Sequence, residues 1–170
     1  MSLFIPNMYQ KDIFSIPYSK LKERGYKLLI FDLDNTLGSV HEKICNLKTS
    51  TFINQLQTDF QIVIASNSHK QRVEKFCSNL GVSYFTLSLK PTLKVVRKIK
   101  KKYQLESKQI VIIGDQILTD ILVGNRAGFF TILVDPILNY DFKITGFNRA
   151  IEKILNKKNH IVKGQYYEKK

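Results

Sequence analysis

Acidic residues are scarce in this chain. Its 170 residues include 14 Asp and Glu against 27 Lys and Arg, which gives a formal net charge of +13. Such an excess is typical either of a lysine-rich, solvated surface or of a protein with an anionic partner. The total charge does not distinguish a nucleic acid, a phosphorylated metabolite and an acidic membrane surface. The positions of the few acids are therefore the informative feature.

Cysteines and long apolar runs are also few. Cys45 and Cys77 form no CxxC pair and no disulfide framework, which indicates a reducing compartment. Residues 1–10 lack a basic segment followed by an apolar one, so no secretory signal is predicted. The longest apolar stretches, such as 128–134, are far shorter than the roughly 20 residues that a membrane-spanning helix needs. We therefore expect a cytoplasmic protein whose contact with a membrane is at most peripheral.

The composition is that of a folded domain, with 44% apolar and 11% aromatic residues. Short β-branched apolar runs alternate with longer amphipathic stretches. The predicted strands are 27–31, 61–65, 109–113 and 129–134, with a weaker fifth at 84–87. The predicted helices are 49–58, 70–80, 92–103 and 119–127. This alternation predicts an α/β fold: a three-layer, doubly wound, Rossmann-like parallel sheet of about five strands.

Both ends of the chain are predicted to be additions to this core. Residues 1–25 are interpreted as an N-terminal arm that contains a short amphipathic helix. Residues 26–157 form the predicted core, which includes a C-terminal amphipathic helix over 146–157. Residues 158–170 are polar and basic, and we expect them to fray as a tail.

Polar residues of suggestive types follow three of the predicted strands. They are Asp32-Leu33-Asp34-Asn35-Thr36, Ser66-Asn67-Ser68 and Gly114-Asp115, with Lys90 before the third of these strands and Asp120 after it. Ligands bind at the carboxyl ends of strands in such sheets, where clustered carboxylates repel each other unless a cation joins them. Mg²⁺ is the natural choice because it prefers hard oxygen ligands. A lone Asp after a strand is usually a turn former or helix cap, and a lone lysine is usually a surface residue. The whole set in this order is hard to obtain by chance.

These residues resemble, in order, the four motifs of the haloacid dehalogenase (HAD) superfamily of phosphohydrolases. Asp32 to Thr36 is similar to the DxDxT motif, Ser66 to the second-motif hydroxyl and Lys90 to the third-motif lysine. Gly114-Asp115 with Asp120 is similar to the GDxxxxD form of the fourth motif. The stretches FDLDNTL, ASNS, LKP and GDQILTDILVGNRAG resemble more closely the YqeG-type phosphatases of HAD subfamily IIIA, over residues 3–157. The segment after Thr36 (LGSVHEK) is the one stretch that we cannot match.

The resemblance implies catalytic and substrate-binding roles. Asp32 would be the nucleophile that forms an aspartyl-phosphate, and Asp34 would act first as general acid and then as general base. Ser66 would bind the phosphoryl oxygens with help from the backbone N–H of Asn67. Lys90 would pair with the phosphoryl group and with Asp32.

The resemblance also implies a Mg²⁺ site. Its ligands would be Asp32, Asp115 and Asp34, the last through its backbone carbonyl. Asp120 would ligate the metal or orient a ligand through water. Thr36, Asn35 and Gln116 are candidates for supporting positions around the site.

The motif spacing leaves no room for a cap domain. Thr36 and Ser66 are 30 positions apart, and Ser66 and Lys90 are 24 apart. We therefore expect a capless HAD core with an open site, which suits a phosphate carried by a large molecule. YqeG-type relatives include phosphatidylglycerophosphate phosphatases, so the resemblance implies conversion of phosphatidylglycerophosphate to phosphatidylglycerol. The basic run 90–102 and the basic tail from Lys143 would fit the acidic surface of a membrane, or they are solvated faces.

Three alternatives stay open. The substrate could be a soluble phosphate ester, such as a nucleotide or sugar phosphate. The chain could be a non-catalytic phospho-acceptor module, although the spacing of Asp32 and Asp34 argues against it because Asp34 would turn over the intermediate. A nucleic-acid-associated binder would leave the carboxylate cluster unexplained, and no nucleic acid is expected as a partner. The sequence assigns no role to His41, His69 or Arg126, and no oligomeric state.

Overall fold

A computed structural model of the chain describes residues 3–138 and 162–166. The predicted helix over 146–157 and most of the predicted tail lie outside the described residues. None of the helices within the described residues is long and apolar enough to cross a bilayer.

Within residues 3–138, six parallel strands form one sheet in the order β1-β6-β5-β2-β3-β4. Their bounds are β1 Met8–Gln10, β2 Leu28–Phe31, β3 Gln61–Ala65, β4 Ser83–Phe85, β5 Ile110–Gly114 and β6 Phe130–Val134. Because all neighbouring pairs are parallel, the carboxyl ends of the strands share one edge. We call the loops that follow Gln10, Phe31, Ala65, Phe85, Gly114 and Val134 the carboxyl edge.

The predicted parallel α/β fold is confirmed, with one strand more than expected. The additional strand, β1, comes from the N-terminal arm and pairs with Ile132–Val134 of β6. Just before it, Asn7 exchanges hydrogen bonds with Thr131, donating its N–H to Oγ1 at 3.0 Å and accepting the Thr131 N–H at 2.9 Å. A three-residue edge strand is too short to form an apolar run, so the sequence carries no periodic signal for it.

In the part of the chain that the structure describes, five α-helices cover the two faces of the sheet. They are α1 Tyr18–Glu23, α2 Leu47–Leu56, α3 Lys70–Cys77, α4 Lys94–Tyr103 and α5 Leu122–Ala127. Alternate residues of β2 face opposite layers: Leu29 and Phe31 pack with α2 and α3, whereas Leu28 and Ile30 pack with α4 and α5. Both faces are buried, which explains why the central strands are continuously apolar.

The helix predicted to begin at residue 119 has a different start. A π-helical turn, Ile117–Ile121, precedes α5. The helix ends where predicted, because Gly128 follows it with a left-handed φ of 72°. The π-helical turn matters for the site, since it carries Asp120.

Candidate active site

The first two carboxylates of the site follow adjacent strands. Asp32 comes directly after β2 and Asp115 directly after β5, and the backbone N–H of Asp32 donates to Ile113 O at 2.9 Å. One carboxylate oxygen from each of Asp32, Asp115 and Asp120 lies within 4.8 Å of the others. The structure thus brings together three of the four acids singled out from the sequence.

Asp120 reaches this cluster because the chain turns tightly over a glycine. A β-carbon placed on Gly114 would lie 2.2 Å from Cγ of Asp120, a distance that no side chain could tolerate. Gln116 N–H and Thr119 Oγ1 both donate to Asp120 Oδ2 at 3.3 Å. These two bonds fix one oxygen of the carboxylate, and the other points to Lys90.

The ammonium group of Lys90 joins two of the acids. Its Nζ donates to Asp32 Oδ1 at 2.5 Å and to Asp120 Oδ1 at 2.6 Å, and its side chain is only 3% exposed. Burial would lower the pKa of Lys90, but the carboxylates of Asp120 and Asp32 more than reverse that effect and raise it. Burial raises the pKa of Asp32 well above its usual value, with Lys90 opposing the rise and Asp120 and Asp115 adding to it. One ammonium among three acids leaves excess negative charge in a buried site.

This charge imbalance fits a divalent cation. Carboxylate oxygens are the ligands that Mg²⁺ prefers, and three of them converge here. Thr36 Oγ1 donates to Asp115 Oδ1 at 3.3 Å, which orients that carboxylate from behind. The residues present therefore suit a magnesium site.

Asn67 holds the Lys90 segment in place. Its Oδ1 accepts from Lys90 N–H at 2.9 Å and from Ser88 Oγ at 2.8 Å, and its Nδ2 donates to Lys90 O at 3.2 Å. From the sequence we expect only the backbone N–H of Asn67 to take part in the site. The structure adds this second role for its side chain. Ser66 is buried, and its Oγ accepts from Ser68 N–H at 3.0 Å.

The side chain of Asp34 lies outside the carboxylate cluster and has partners of its own. Arg72 Nη2 donates to Asp34 Oδ1 at 2.9 Å, and Ser68 Oγ donates to Asp34 Oδ2. The Arg72 guanidinium also donates to the backbone carbonyls of Ser39 and Glu42. The sequence did not identify Arg72 as a site residue. The only feature that pointed to it is its position in the first turn of α3, which begins at the carboxyl edge.

A small cavity of about 130 Å³ opens over these groups. Its lining residues are Asp32, Asp34, Ser66, Asn67, Ser68, Lys90, Gln116, Thr119 and Asp120. The structure describes every residue between Thr36 and Lys90. This segment consists of α2, β3, α3, β4 and the loops that connect them. The cavity therefore opens at the carboxyl edge with no inserted cap domain above it.

The sequence leaves three residues without an assigned role, and none of them lines this cavity. His41 and His69 are exposed, and His69 precedes α3 without a capping hydrogen bond from its side chain. Arg126 Nη1 donates to Pro91 O at 3.0 Å, so it supports the residue that follows Lys90.

The sequence resembles several known proteins. A family model described as mitochondrial PGP phosphatase matches residues 1–138. The probable phosphatase YqeG of Bacillus subtilis is 37% identical over 163 residues, which cover 93% of this chain and 95% of that protein. Phosphatidylglycerophosphate phosphatase 1, chloroplastic/mitochondrial, of Arabidopsis thaliana is 26% identical over 143 residues. That match covers 78% of this chain but only 41% of the plant protein.

Solved structures share the fold. The cobalt-bound deoxy-D-mannose-octulosonate 8-phosphate phosphatase of Haemophilus influenzae matches with a TM-score of 0.52 and 17% identity, over 80% of this chain and 90% of that one. A HAD family enzyme of Bacteroides thetaiotaomicron, solved as a magnesium complex, matches with a TM-score of 0.55 and 10% identity. The match covers 69% of this chain and 97% of that one. At these identities the similarity concerns the fold alone.

Proposed function

This chain belongs to the PGP phosphatase family and is a phosphatase of the HAD type, and on that basis we propose that it hydrolyses phosphatidylglycerophosphate to phosphatidylglycerol through an aspartyl-phosphate on Asp32. The observation that carries the proposal is the contact of Lys90 Nζ with Asp32 Oδ1 at 2.5 Å, inside a small polar cavity. A carboxylate can attack a phosphate dianion only if positive charge offsets both groups. Lys90 supplies part of that charge.

Two proton-coupled steps complete the reaction. Asp32 attacks phosphorus, the bond from phosphorus to the ester oxygen breaks, and Asp34 gives its proton to the leaving alcohol. Asp34 then takes a proton from a water molecule that attacks the same phosphorus. The bond to Asp32 breaks, inorganic phosphate leaves, and both side chains return to their starting states.

Mg²⁺ is the cofactor that we propose for this site. Asp32 and Asp115 would hold it with the backbone carbonyl of Asp34, while Asp120 keeps Lys90 in place. Bound there, Mg²⁺ would neutralise negative charge on the phosphoryl oxygens. Ser66 and the backbone N–H of Asn67 would bind the same oxygens from the opposite loop.

The lipid substrate is supported by relatives and by the shape of the site. The Arabidopsis relative is named for phosphatidylglycerophosphate, although this chain spans less than half of it. The cavity of about 130 Å³ has room for little more than a phosphate group, so the rest of the substrate must stay outside the carboxyl edge. A phosphate at the end of a membrane-bound headgroup meets this requirement.

Phosphate release tests the proposal. Phosphatidylglycerophosphate in mixed micelles is compared with glycerol 3-phosphate and p-nitrophenyl phosphate at saturating Mg²⁺, with Asp32→Asn as the inactive control. We expect the highest kcat/KM on the lipid. A rate on the lipid no higher than on the soluble esters would refute the substrate, and no release from any ester would refute the enzyme.

A further inference from the structure

Large exposed apolar side chains are concentrated at the carboxyl edge, where the cavity opens. The described residues expose ten of them, and six lie in the loops of the carboxyl edge or begin the helix that follows. We call these six the apolar rim: Phe14, Ile44, Leu47, Leu87, Leu89 and Ile137. Leu47 is the most exposed of the set at 81%. Single exposed apolar residues are ordinary, but a concentration at one edge marks an interaction surface.

Leu87 and Leu89 are held outward by the active-site loop. Both have a left-handed backbone, with φ of 45° and 52°, a conformation that is disfavoured for residues with a β-carbon. Between them Ser88 is fully buried, and its N–H donates to Ser66 O at 3.0 Å. The N–H of Leu87 donates to Ser68 O at 3.2 Å. The strained backbone therefore keeps two leucines exposed at the rim while the residues between and after them enter the site.

Two further residues of the apolar rim, Ile137 and Ile44, lie in segments that are hydrogen-bonded to residues of the site. Ile137 N–H donates to Asn35 O at 3.0 Å, inside the DxDxT segment. Ile44 lies two residues after Glu42, whose carbonyl accepts from Arg72. Exposed leucine and isoleucine side chains thus lie in the loops that follow β2, β4 and β6.

The fully exposed charged side chains of the same edge are cationic. Five exposed lysines lie along it: Lys11, Lys43, Lys48, Lys70 and Lys94. The Nζ of Lys48 lies 4.1 Å from the centre of the Phe14 ring, so cationic and apolar groups are interleaved. In the described parts of the carboxyl-edge loops, every acid is at least partly buried. Such a surface is complementary to anionic headgroups above an apolar layer.

We infer that the carboxyl edge is a docking face for an anionic lipid bilayer. The apolar rim enters the headgroup–acyl boundary, the lysines contact anionic headgroups, and the mouth of the cavity meets the lipid phosphates. This inference rests on the proposed function and adds to it the surface that delivers the substrate. It also differs from the membrane surface expected from the sequence, which was the basic run 90–102. Helix α4 begins at the carboxyl edge with Lys94 and runs away from it, so its other basic residues lie farther from that edge.

Vesicle flotation tests the docking face. The probes are vesicles of phosphatidylcholine alone and of phosphatidylcholine with phosphatidylglycerol. The rim variant is Leu87→Asn/Leu89→Asn, because asparagine adopts a left-handed backbone readily and the fold should survive. Its matched control is Leu3→Gln, an exposed leucine that precedes β1 and so lies at the opposite edge. Lys43→Gln/Lys48→Gln is paired with Lys100→Gln/Lys101→Gln, at the far end of α4.

We expect wild type to prefer the anionic vesicles and the rim variant to bind them about tenfold more weakly. We expect a loss of similar size for the Lys43/Lys48 variant at low salt. Its difference from wild type should shrink in high salt, because screening weakens the lysine contribution to wild-type binding. The affinity of each control variant for the anionic vesicles should stay within about twofold of the wild-type affinity. All four variants should hydrolyse p-nitrophenyl phosphate at the wild-type rate. Equal binding by the rim variant and wild type, or equal losses in the variants and their controls, would overturn the docking face.

The failures of the two claims are distinguishable. Wild-type turnover of p-nitrophenyl phosphate without binding to anionic vesicles would overturn the docking face alone. Hydrolysis of no ester at all would overturn the proposed function and, with it, the reason for docking.

Discussion

Arg72 and Asp34 form an ion pair across the mouth of the site, with Nη2 2.9 Å from Oδ1. Ser68 donates to the other oxygen of Asp34, so the carboxylate is held on both sides. The same guanidinium anchors the loop after β2 through the carbonyls of Ser39 and Glu42. Arg72 is thus a positioning residue for the group that we propose as acid and base.

Replacing Arg72 should therefore affect proton transfer more than phosphate binding. Lysine keeps the charge but cannot make the forked contacts of a guanidinium. For Arg72→Lys we expect kcat/KM on glycerol 3-phosphate, whose alkoxide needs a proton to leave, to fall about a hundredfold. The loss on p-nitrophenyl phosphate should be much smaller, because nitrophenolate leaves unprotonated. Arg97→Lys, on the exposed side of α4, is the control, and equal losses on both esters would contradict the positioning role.

Lys90 should be essential for stability as well as for activity. Its removal leaves Asp32 and Asp120 buried together without their shared cation, and breaking a buried ion pair in this way costs about 3–5 kcal/mol. We expect Lys90→Gln to lower the free energy of unfolding in urea by that amount at neutral pH. Lys101→Gln on the exposed face of α4 should change it by no more than about 0.5 kcal/mol. Equal stability of the two variants would show that Lys90 does not hold the acids together.

Gly114 should tolerate no side chain. A methyl group there would collide with the carboxylate of Asp120, 2.2 Å away, and push it off Lys90. We expect Gly114→Ala to lose about 1–3 kcal/mol of stability and about a hundredfold in kcat. Gly81→Asn, where nothing lies within 4 Å and asparagine accepts the left-handed backbone, is the control. Normal activity of Gly114→Ala would mean that the position of Asp120 is unimportant.

The two cysteines should react slowly in the folded protein. Burial raises the pKa of both thiols to about 12, with Glu42 adding to the rise at Cys45. Because the thiolate is the reactive form, only about one thiol in ten thousand is reactive at pH 8. Alkylation by iodoacetamide should be slow at pH 8, speed up about tenfold per pH unit, and become fast in urea. Rapid labelling of folded protein at pH 8, with a plateau near pH 9, would contradict this environment.

Much of the site follows from sequence because strand ends are strong signals. The apolar runs that became β2, β3 and β5 are continuous, since both of their faces are buried. Asp32 and Asp115 directly follow two of these strands, which are neighbours in the sheet. The parallel topology alone predicts that both acids lie at the same edge of the sheet. Their direct proximity depends on the strand order, which places β5 beside β2.

Other features of the site could not be predicted from the sequence, because they depend on tertiary contacts between segments that are far apart in the chain. Arg72 resembles any helix-surface arginine until α3 packs beside the loop after β2. The three side-chain hydrogen bonds of Asn67 exist only because the segment around Ser88 and Lys90 folds back onto it. The edge strand β1 has three residues, too few for a periodic pattern, and the apolar rim combines residues far apart in the chain.

The central claim is that Asp32 carries the phosphoryl group, and trapping that intermediate tests it most directly. In Asp34→Asn, Asp32 can still attack the phosphorus of p-nitrophenyl phosphate, but the variant lacks the base that activates water for the second step. The protein is mixed with p-nitrophenyl phosphate and Mg²⁺, quenched in acid, digested and analysed by mass spectrometry. We predict that the peptide containing Asp32 gains the mass of one phosphoryl group, and that Asp32→Asn/Asp34→Asn gains none. A phosphoryl group on another residue, or an unmodified Asp32 in protein that has released nitrophenol, would contradict the account.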